Sequence, residues 1–276
     1  MQRAFRQVDV FTTAPGLGNP LAVVLDAAGL SSAQMQRFAR WTNLSETTFV
    51  VPTDDAAADY AVRIFTPDSE LPFAGHPTLG TCHAWLEAGG RPRDPERIVQ
   101  ACAAGLIEIR RHGDGLAFAA PPLRRSGPVD AADLDAITAS LGIGRGDVVD
   151  AAWADNGPGW VALLLRDADA VLAVVPGAVP LDVGLVGFYP PGSPAAVELR
   201  ALYPQNGFTV EDPVTGSLNA SVAGWLIASG RIAAPYVASQ GTAIGRTGRV
   251  EVSLDDAGRV FVGGRTLTLV HGIVDL

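Results

Sequence analysis

Three side chains in this sequence have the type and placement to move protons. Glu46 lies in Asn43-Leu44-Ser45-Glu46-Thr47-Thr48-Phe49, a polar corner entering a strand. His76 follows Gly75 at the head of a helical stretch, and Asp212 sits in Glu211-Asp212-Pro213-Val214-Thr215-Gly216-Ser217, just before another. A carboxylate in a closed, mostly apolar cleft has its pKa raised, and can then take a proton from carbon and return it. Taken alone, a Glu at a strand start is most often a solvated end residue. Glu70 and Glu211 are near enough in sequence to compete for the role, and spacing does not select Glu46. The three groups lack metal-binding spacing, so no metal is expected.

Two further positions suit an anion. Gly75-His76 and Gly216-Ser217 each open a helix, and a helix start offers unpaired N–H donors and about half a positive charge. Two such starts facing one another would clamp a small carboxylate without any lysine. For either loop alone an ordinary cap is the better reading; the construction occurring twice shifts the balance.

Other templates are absent. The sequence has no GxSxG, no HExxH and no GxGxxG opening a helix after a strand; Gly16-Leu17-Gly18 is a turn beside Pro15 and Pro20. His83 falls in a helix, His271 in a terminal strand and His112 in a hairpin turn, all placed as structural or solvated groups. All 20 basic residues are Arg, which excludes lysine Schiff-base chemistry and a P-loop. The 29 acidic residues leave a net charge of −9, which disfavours nucleic acid and anionic lipid as partners. Two cysteines, Cys82 and Cys102, rule out a zinc ribbon or a disulfide scaffold.

The elements that must position these groups come in duplicate. Trp85-Leu86-Glu87-Ala88-Gly89-Gly90-Arg91 recurs as Trp225-Leu226-Ile227-Ala228-Ser229-Gly230-Arg231, an offset of 140. Gly105 to Ile109 recurs as Gly248 to Val252, and Phe118 as Phe261, at an offset of 143. Arg63-Ile64-Phe65-Thr66-Pro67 is echoed by Arg200-Ala201-Leu202-Tyr203-Pro204. Four echoes in one order imply two homologous domains, 1–120 and 123–276, joined at the Pro/Gly-rich stretch Ala120 to Pro128. The last strand is allowed to pair back with the first domain.

Periodicity predicts strands over 5–11, 21–25, 47–51 and 60–65, and helices over 31–41 and 77–88, the second ended by Gly89-Gly90. A hairpin follows over 105–111 and 116–120. In the second half it predicts helices about 131–140 and 217–229. Strands are placed about 148–153, 159–165, 183–188 and 196–202, with a hairpin over 249–254 and 259–262. The apolar stretch Val171 to Val197 holds Pro176, Pro180, Pro190, Pro191 and Pro194, and reads as core strand plus loop, not a membrane helix. The fold class is α+β: two mostly antiparallel sheets, each wrapped on a central helix, with a pseudo-twofold and a site in the interdomain cleft. No signal-peptide pattern opens the chain, so a cytoplasmic protein is expected.

The chain resembles the phenazine-biosynthesis isomerase family, the PhzF-like proteins. The segments that carry the likeness are Gly18-Asn19-Pro20-Leu21-Ala22-Val23, Ser45-Glu46-Thr47, Arg63-Ile64-Phe65-Thr66-Pro67, Gly75-His76-Pro77-Thr78-Leu79-Gly80 and Glu211 to Ser217. The resemblance implies a diaminopimelate-epimerase-like fold and cofactor-free isomerisation of a small amino or hydroxy carboxylic acid, with Glu46 as acid/base. It places His76, Asp212 and Ser217 at the family's remaining active-site positions; Asn19, Ser45, Gly75 and Gly216 are assigned to substrate binding. It also implies a homodimer. The family prototype acts on a dihydro-hydroxyanthranilate. Related racemases use two opposed cysteines, but here the loops carry His76 and Asp212. The rivals are an epimerase on another acid using the same Glu46, and a catalytically silent binding protein on the same fold.

Overall fold

The computed structural model describes residues 1–276. The chain forms two compact units, one of Met1–Ala119 with Gly263–Leu276 and one of Ala120–Val262. The first carries strands β1 (Gln2–Val10), β2 (Asn19–Val24), β3 (Glu46–Val51), β4 (Tyr60–Phe65), β5 (Glu70–Leu71), β6 (Arg97–Cys102), β7 (Gly105–His112) and β8 (Gly115–Ala119), with helices α1 (Ser32–Thr42) and α2 (Gly75–Glu87). The second carries β9 (Arg125–Pro128), β10 (Val148–Asp155), β11 (Val161–Leu165), β12 (Val183–Phe188), β13 (Val197–Gln205), β14 (Phe208–Asp212), β15 (Tyr236–Gln240), β16 (Gly248–Leu254) and the start of β17 (Val260–Gly264), whose last two residues fall in the first unit, with α3 (Ala131–Leu141), α4 (Ala168–Ala173) and α5 (Gly216–Ala228). The final strand, β18 (Thr266–Asp275), runs antiparallel to β1. Residues 263–276 group with the first unit, the return of the last strand that the sequence reading allowed for.

The duplication is written in the strand pairing. Strand pairing in the first unit is antiparallel except where β2 meets β3 and β4 meets β6. In the second it is antiparallel except where β11 meets β12 and β13 meets β15. Each parallel step needs a crossover, and α1 and α2 supply the two in the first unit as α4 and α5 do in the second. The short β5 and β14 are side hairpins on β4 and β13.

Burial explains why α2 and α5 have weak amphipathic patterns. In α2, Gly75 through Cys82 and Ala84 are all buried, and α5 buries Gly216, Leu218 through Ala223 and Leu226. Such helices are core rods, apolar on most faces. Close approach sets their small residues: a Cβ on Gly80 would stand 2.6 Å from Leu21 Cδ2 and 2.9 Å from Val10 Cγ2. Helix α1 is different, an outer helix capped by Ser31 in a reciprocal box with Gln34 and ended by Asn43 in the left-handed region.

The apolar stretch read as strand plus loop contains a short helix: α4 is started by Asp167, whose side chain accepts from Ala170 N. His112 closes strand β7 and does not lie in the turn.

Candidate active site

Glu46 is the first residue of β3, and three local features aim it. Asn43 reverses the chain at φ 53°, the Thr42 and Thr47 hydroxyls bond at 2.8 Å, and β3 then pairs in parallel with β2, Leu21 opposite Glu46. Asn19, fully buried, opens β2. Gly18 precedes it because a Cβ there would lie 2.3 Å from the Val10 carbonyl oxygen. His76, 4% exposed, sits in the first turn of α2. These three side chains converge: His76 Nδ1 lies 3.4 Å from Glu46 Oε2 and 3.5 Å from Asn19 Nδ2. Burial pushes the His76 imidazole down to about 3, outweighing a backbone contact with Pro20 that acts the other way. The ring is therefore neutral near pH 7, and its contact with Glu46 is a neutral imidazole beside a carboxyl group, not an ion pair. Ser45 is half-buried one residue before Glu46, and Gly75 is buried as the first residue of α2.

The competing glutamates are tied to arginines. Arg63 holds Glu70 through Nε at 2.7 Å and Nη2 at 2.5 Å. Arg200 holds Glu211 in the same fork, Nε at 3.1 Å and Nη2 at 2.7 Å. The two pairs occupy the echoed segments, so the fork is a duplicated structural feature. A carboxylate with both oxygens engaged by one guanidinium fork is occupied by a structural contact and is not aimed at a ligand.

In the second unit Asp212 ends β14, and Thr215 donates its hydroxyl to Asp212 Oδ2 at 2.5 Å. Gln240 organises this corner: its Oε1 accepts from Thr215 N and from Asn219 Nδ2 at 3.0 and 2.8 Å. Its Nε2 donates to Thr215 Oγ1 at 2.9 Å and to the Asp212 carbonyl at 3.2 Å. Ser217 lies in the first turn of α5, directly after Gly216, with Trp160 Nε1 donating to its hydroxyl at 3.1 Å and Asn156 Nδ2 to its carbonyl at 2.9 Å. Neither α2 nor α5 takes a side-chain cap, unlike α1 and α4. Their first-turn N–H groups keep the donor capacity an anion needs.

Sequence reasoning missed Gln240, Thr215, Asn219, Asn156 and Trp160. A signal existed for one of them: Gln100 is the first unit's counterpart of Gln240, buried near the end of the strand after the central helix and donating to Thr78 in that helix at 3.0 Å. The cysteines are free thiols, and burial pushes Cys82 up to about 12, far from a working thiolate.

Comparison with known proteins agrees with this architecture. Residues 8–272 match the family described as phenazine biosynthesis-like protein. The chain is 35% identical to antisense-enhancing sequence 1 of Schizosaccharomyces pombe, over 98% of both chains. It is 34% identical to the trans-2,3-dihydro-3-hydroxyanthranilate isomerase of Pseudomonas fluorescens, again over 98% of both. The crystal structure of a Bacillus anthracis phenazine biosynthesis protein of the PhzF family superposes with a TM-score of 0.83 over 100% of both chains at 22% identity, a likeness of fold. The chain belongs to the phenazine biosynthesis-like, or PhzF-like, protein family, and its class is that of an isomerase.

Proposed function

We propose that this isomerase moves a proton between carbons of a small amino or hydroxy carboxylic acid, in the manner of trans-2,3-dihydro-3-hydroxyanthranilate isomerase, without a cofactor. Glu46 is the acid/base. The observation that carries the reading is local: Glu46 Oε2 stands 3.4 Å from the neutral, buried His76 ring, while Glu70 and Glu211 are held by arginine forks. A carboxyl group beside a neutral imidazole can accept a proton from carbon and pass it on, because neither partner fixes its charge.

His76 orients Glu46 and the substrate, and Asn19 and Ser45 add hydrogen-bonding groups on either side. The uncapped first turns at Gly75 and at Gly216-Ser217 are assigned to substrate anion binding, and Asp212 to the substrate's donor groups or to proton relay. A homodimer accompanies this reading; sedimentation giving a 28.6 kDa particle would remove it.

The test is deuterium uptake in D2O, read by mass spectrometry over cyclic and acyclic amino and hydroxy acids including dihydro-hydroxyanthranilate, with Glu46→Gln in parallel. Uptake or product formation that the Gln variant abolishes is expected. A same-face transfer can return the original proton, so product is scored in the same samples. If neither exchange nor product appears for any compound, a binding protein on this fold becomes the better account.

A further inference from the structure

Two hydrogen-bonding groups stay unanswered where the turn between β10 and β11 meets the first turn of α5. Trp160, 4% exposed, donates its indole N–H to Ser217 Oγ. A hydroxyl that accepts on one lone pair still has its own proton to give, and Ser217 donates that proton to no group in the protein. Asn156, 6% exposed, spends its Nδ2 on the Ser217 carbonyl. That bond fixes the amide's orientation, since only the NH2 arm can donate to a carbonyl. Oδ1 is thereby the other arm of the same planar group, buried beside the turn with no partner. A buried acceptor without a donor is costly and calls for an explanation.

The backbone is built to hold this arrangement. Asp155 accepts from Gly157 N at 2.6 Å and Gly159 N at 2.7 Å, closing the turn between β10 and β11 that presents both Asn156 and Trp160. Gly157 and Gly159 adopt φ 152° and 100°, and the second is strained for any residue with a side chain.

We infer that Asn156, Trp160 and Ser217 form a two-point reader for a carboxylate that has an amino or hydroxyl group on a neighbouring carbon. Trp160 is a positioning residue: by occupying one lone pair it turns the Ser217 hydroxyl into a donor, which together with the uncapped N–H groups at Gly216 and Ser217 receives the carboxylate. Asn156 Oδ1 receives the neighbouring N–H or O–H. This rests on the proposed substrate class and narrows it to acids whose donor group is adjacent to the carboxylate-bearing carbon.

Benzoate, anthranilate and 2-methoxybenzoate serve as stable probes, with binding measured by calorimetry on the full chain. The donor is absent in the first, present in the second and blocked in the third. Anthranilate is expected to bind about five- to tenfold more tightly than the other two, the ordinary worth of one hydrogen bond. Asn156→Leu should erase that gap, so that anthranilate and benzoate bind the variant equally. Trp160→Phe and Ser217→Ala should each weaken all three probes, and the double variant should be no weaker than Ser217→Ala alone. The Trp160 indole N–H resonance should shift on benzoate binding to the wild type and not to Ser217→Ala. Equal binding of the three probes by the wild type overturns the reader and leaves the proposed function standing, and so does full additivity of the double variant. If no carboxylate binds, the proposed substrate class fails and the reader with it. The wild-type comparison decides even where Asn156→Leu disturbs its turn.

Discussion

Glu46 and His76 come from elements separated by the whole of β4 and β5, yet Oε2 of one stands 3.4 Å from Nδ1 of the other. The contact is made by backbone geometry. Parallel pairing of β3 with β2 fixes Glu46, and the close packing of α2 against β1, β2 and β3 fixes His76. A neutral imidazole held there can serve either partner, donating to Glu46 in one tautomer or accepting from Asn19 in the other.

Replacing Glu46 by Gln keeps the shape and removes the titratable oxygen. Isomerisation or exchange should fall by about 10²- to 10⁴-fold, the usual range for a positioned acid/base. The affinity of a non-reacting carboxylate should be nearly unchanged. Single-turnover assays beside calorimetry check this; a variant that retains full rate would transfer the role away from Glu46.

The His76 shift has a consequence for acid stability. Its folded pKa, pushed down to about 3, lies below the unfolded value of 6.5, so protons bind the unfolded chain first. Its stabilising contribution is complete above pH 6.5 and is lost as pH falls toward 3. The ceiling is on the order of 5 kcal/mol. Urea midpoints at pH 7, 5 and 4 should drop for the wild type and drop less for His76→Gln. Parallel slopes in the two proteins would mean that the ring is solvated.

Much of the site was legible because it is local in sequence. The turn at Asn43 to Glu46, the helix beginning at Gly75 and the helix beginning at Gly216 each depend on residues within a few positions, and the structure starts α2 and α5 at those glycines. The repeat also showed, since the Arg63 and Arg200 segments keep their order. What stayed hidden depends on distant partners. That the last strand returns to the first domain was allowed for, but nothing in Thr266 to Asp275 names β1 as its partner or sets the register opposite Val10 to Gln2. Strands β6 and β15 read poorly because each is a short run whose parallel partner lies beyond a central helix. The last residue of β15, Gln240, looks like a polar strand end until the strand brings it under the first turn of α5, where both ends of its amide are used.

The duplicated arginine forks make a matched pair of stability tests. Arg63 and Glu70 are 29% and 36% exposed, whereas Arg200 and Glu211 are 5% and 9% exposed, and Arg200 also donates to the Val171 and Val174 carbonyls at 3.2 and 2.6 Å. Solvent screens the first pair, so Arg63→Met should cost under about 1 kcal/mol. Arg200→Met strands a buried carboxylate and two carbonyls at the end of α4, and should cost about 3 to 5 kcal/mol. Urea denaturation of both variants at pH 7 measures the difference, and equal losses would show that the Arg200 fork admits water.

Asp182 provides a test of opposite sign to His76. It precedes β12, with its carbonyl accepting from Val161 N, and desolvation followed by the charge of Asp155 pushes its carboxyl up to about 6 from the ordinary 3.8. A raised folded pKa means that the native state binds the proton more tightly. The stability from Asp182 is therefore complete below pH 3.8 and is lost as pH rises through 6. A shift of that size corresponds to roughly 3 kcal/mol for a fully buried group, and a half-buried one keeps about 1 kcal/mol after screening. Asp182→Asn should thus be more stable than the wild type at pH 7 by about 1 kcal/mol and gain nothing at pH 4. Because Asp155 builds the turn that presents Asn156 and Trp160, the same substitution should leave the Trp160 indole resonance in place. A gain that persists at pH 4 would trace the effect to packing and not to charge.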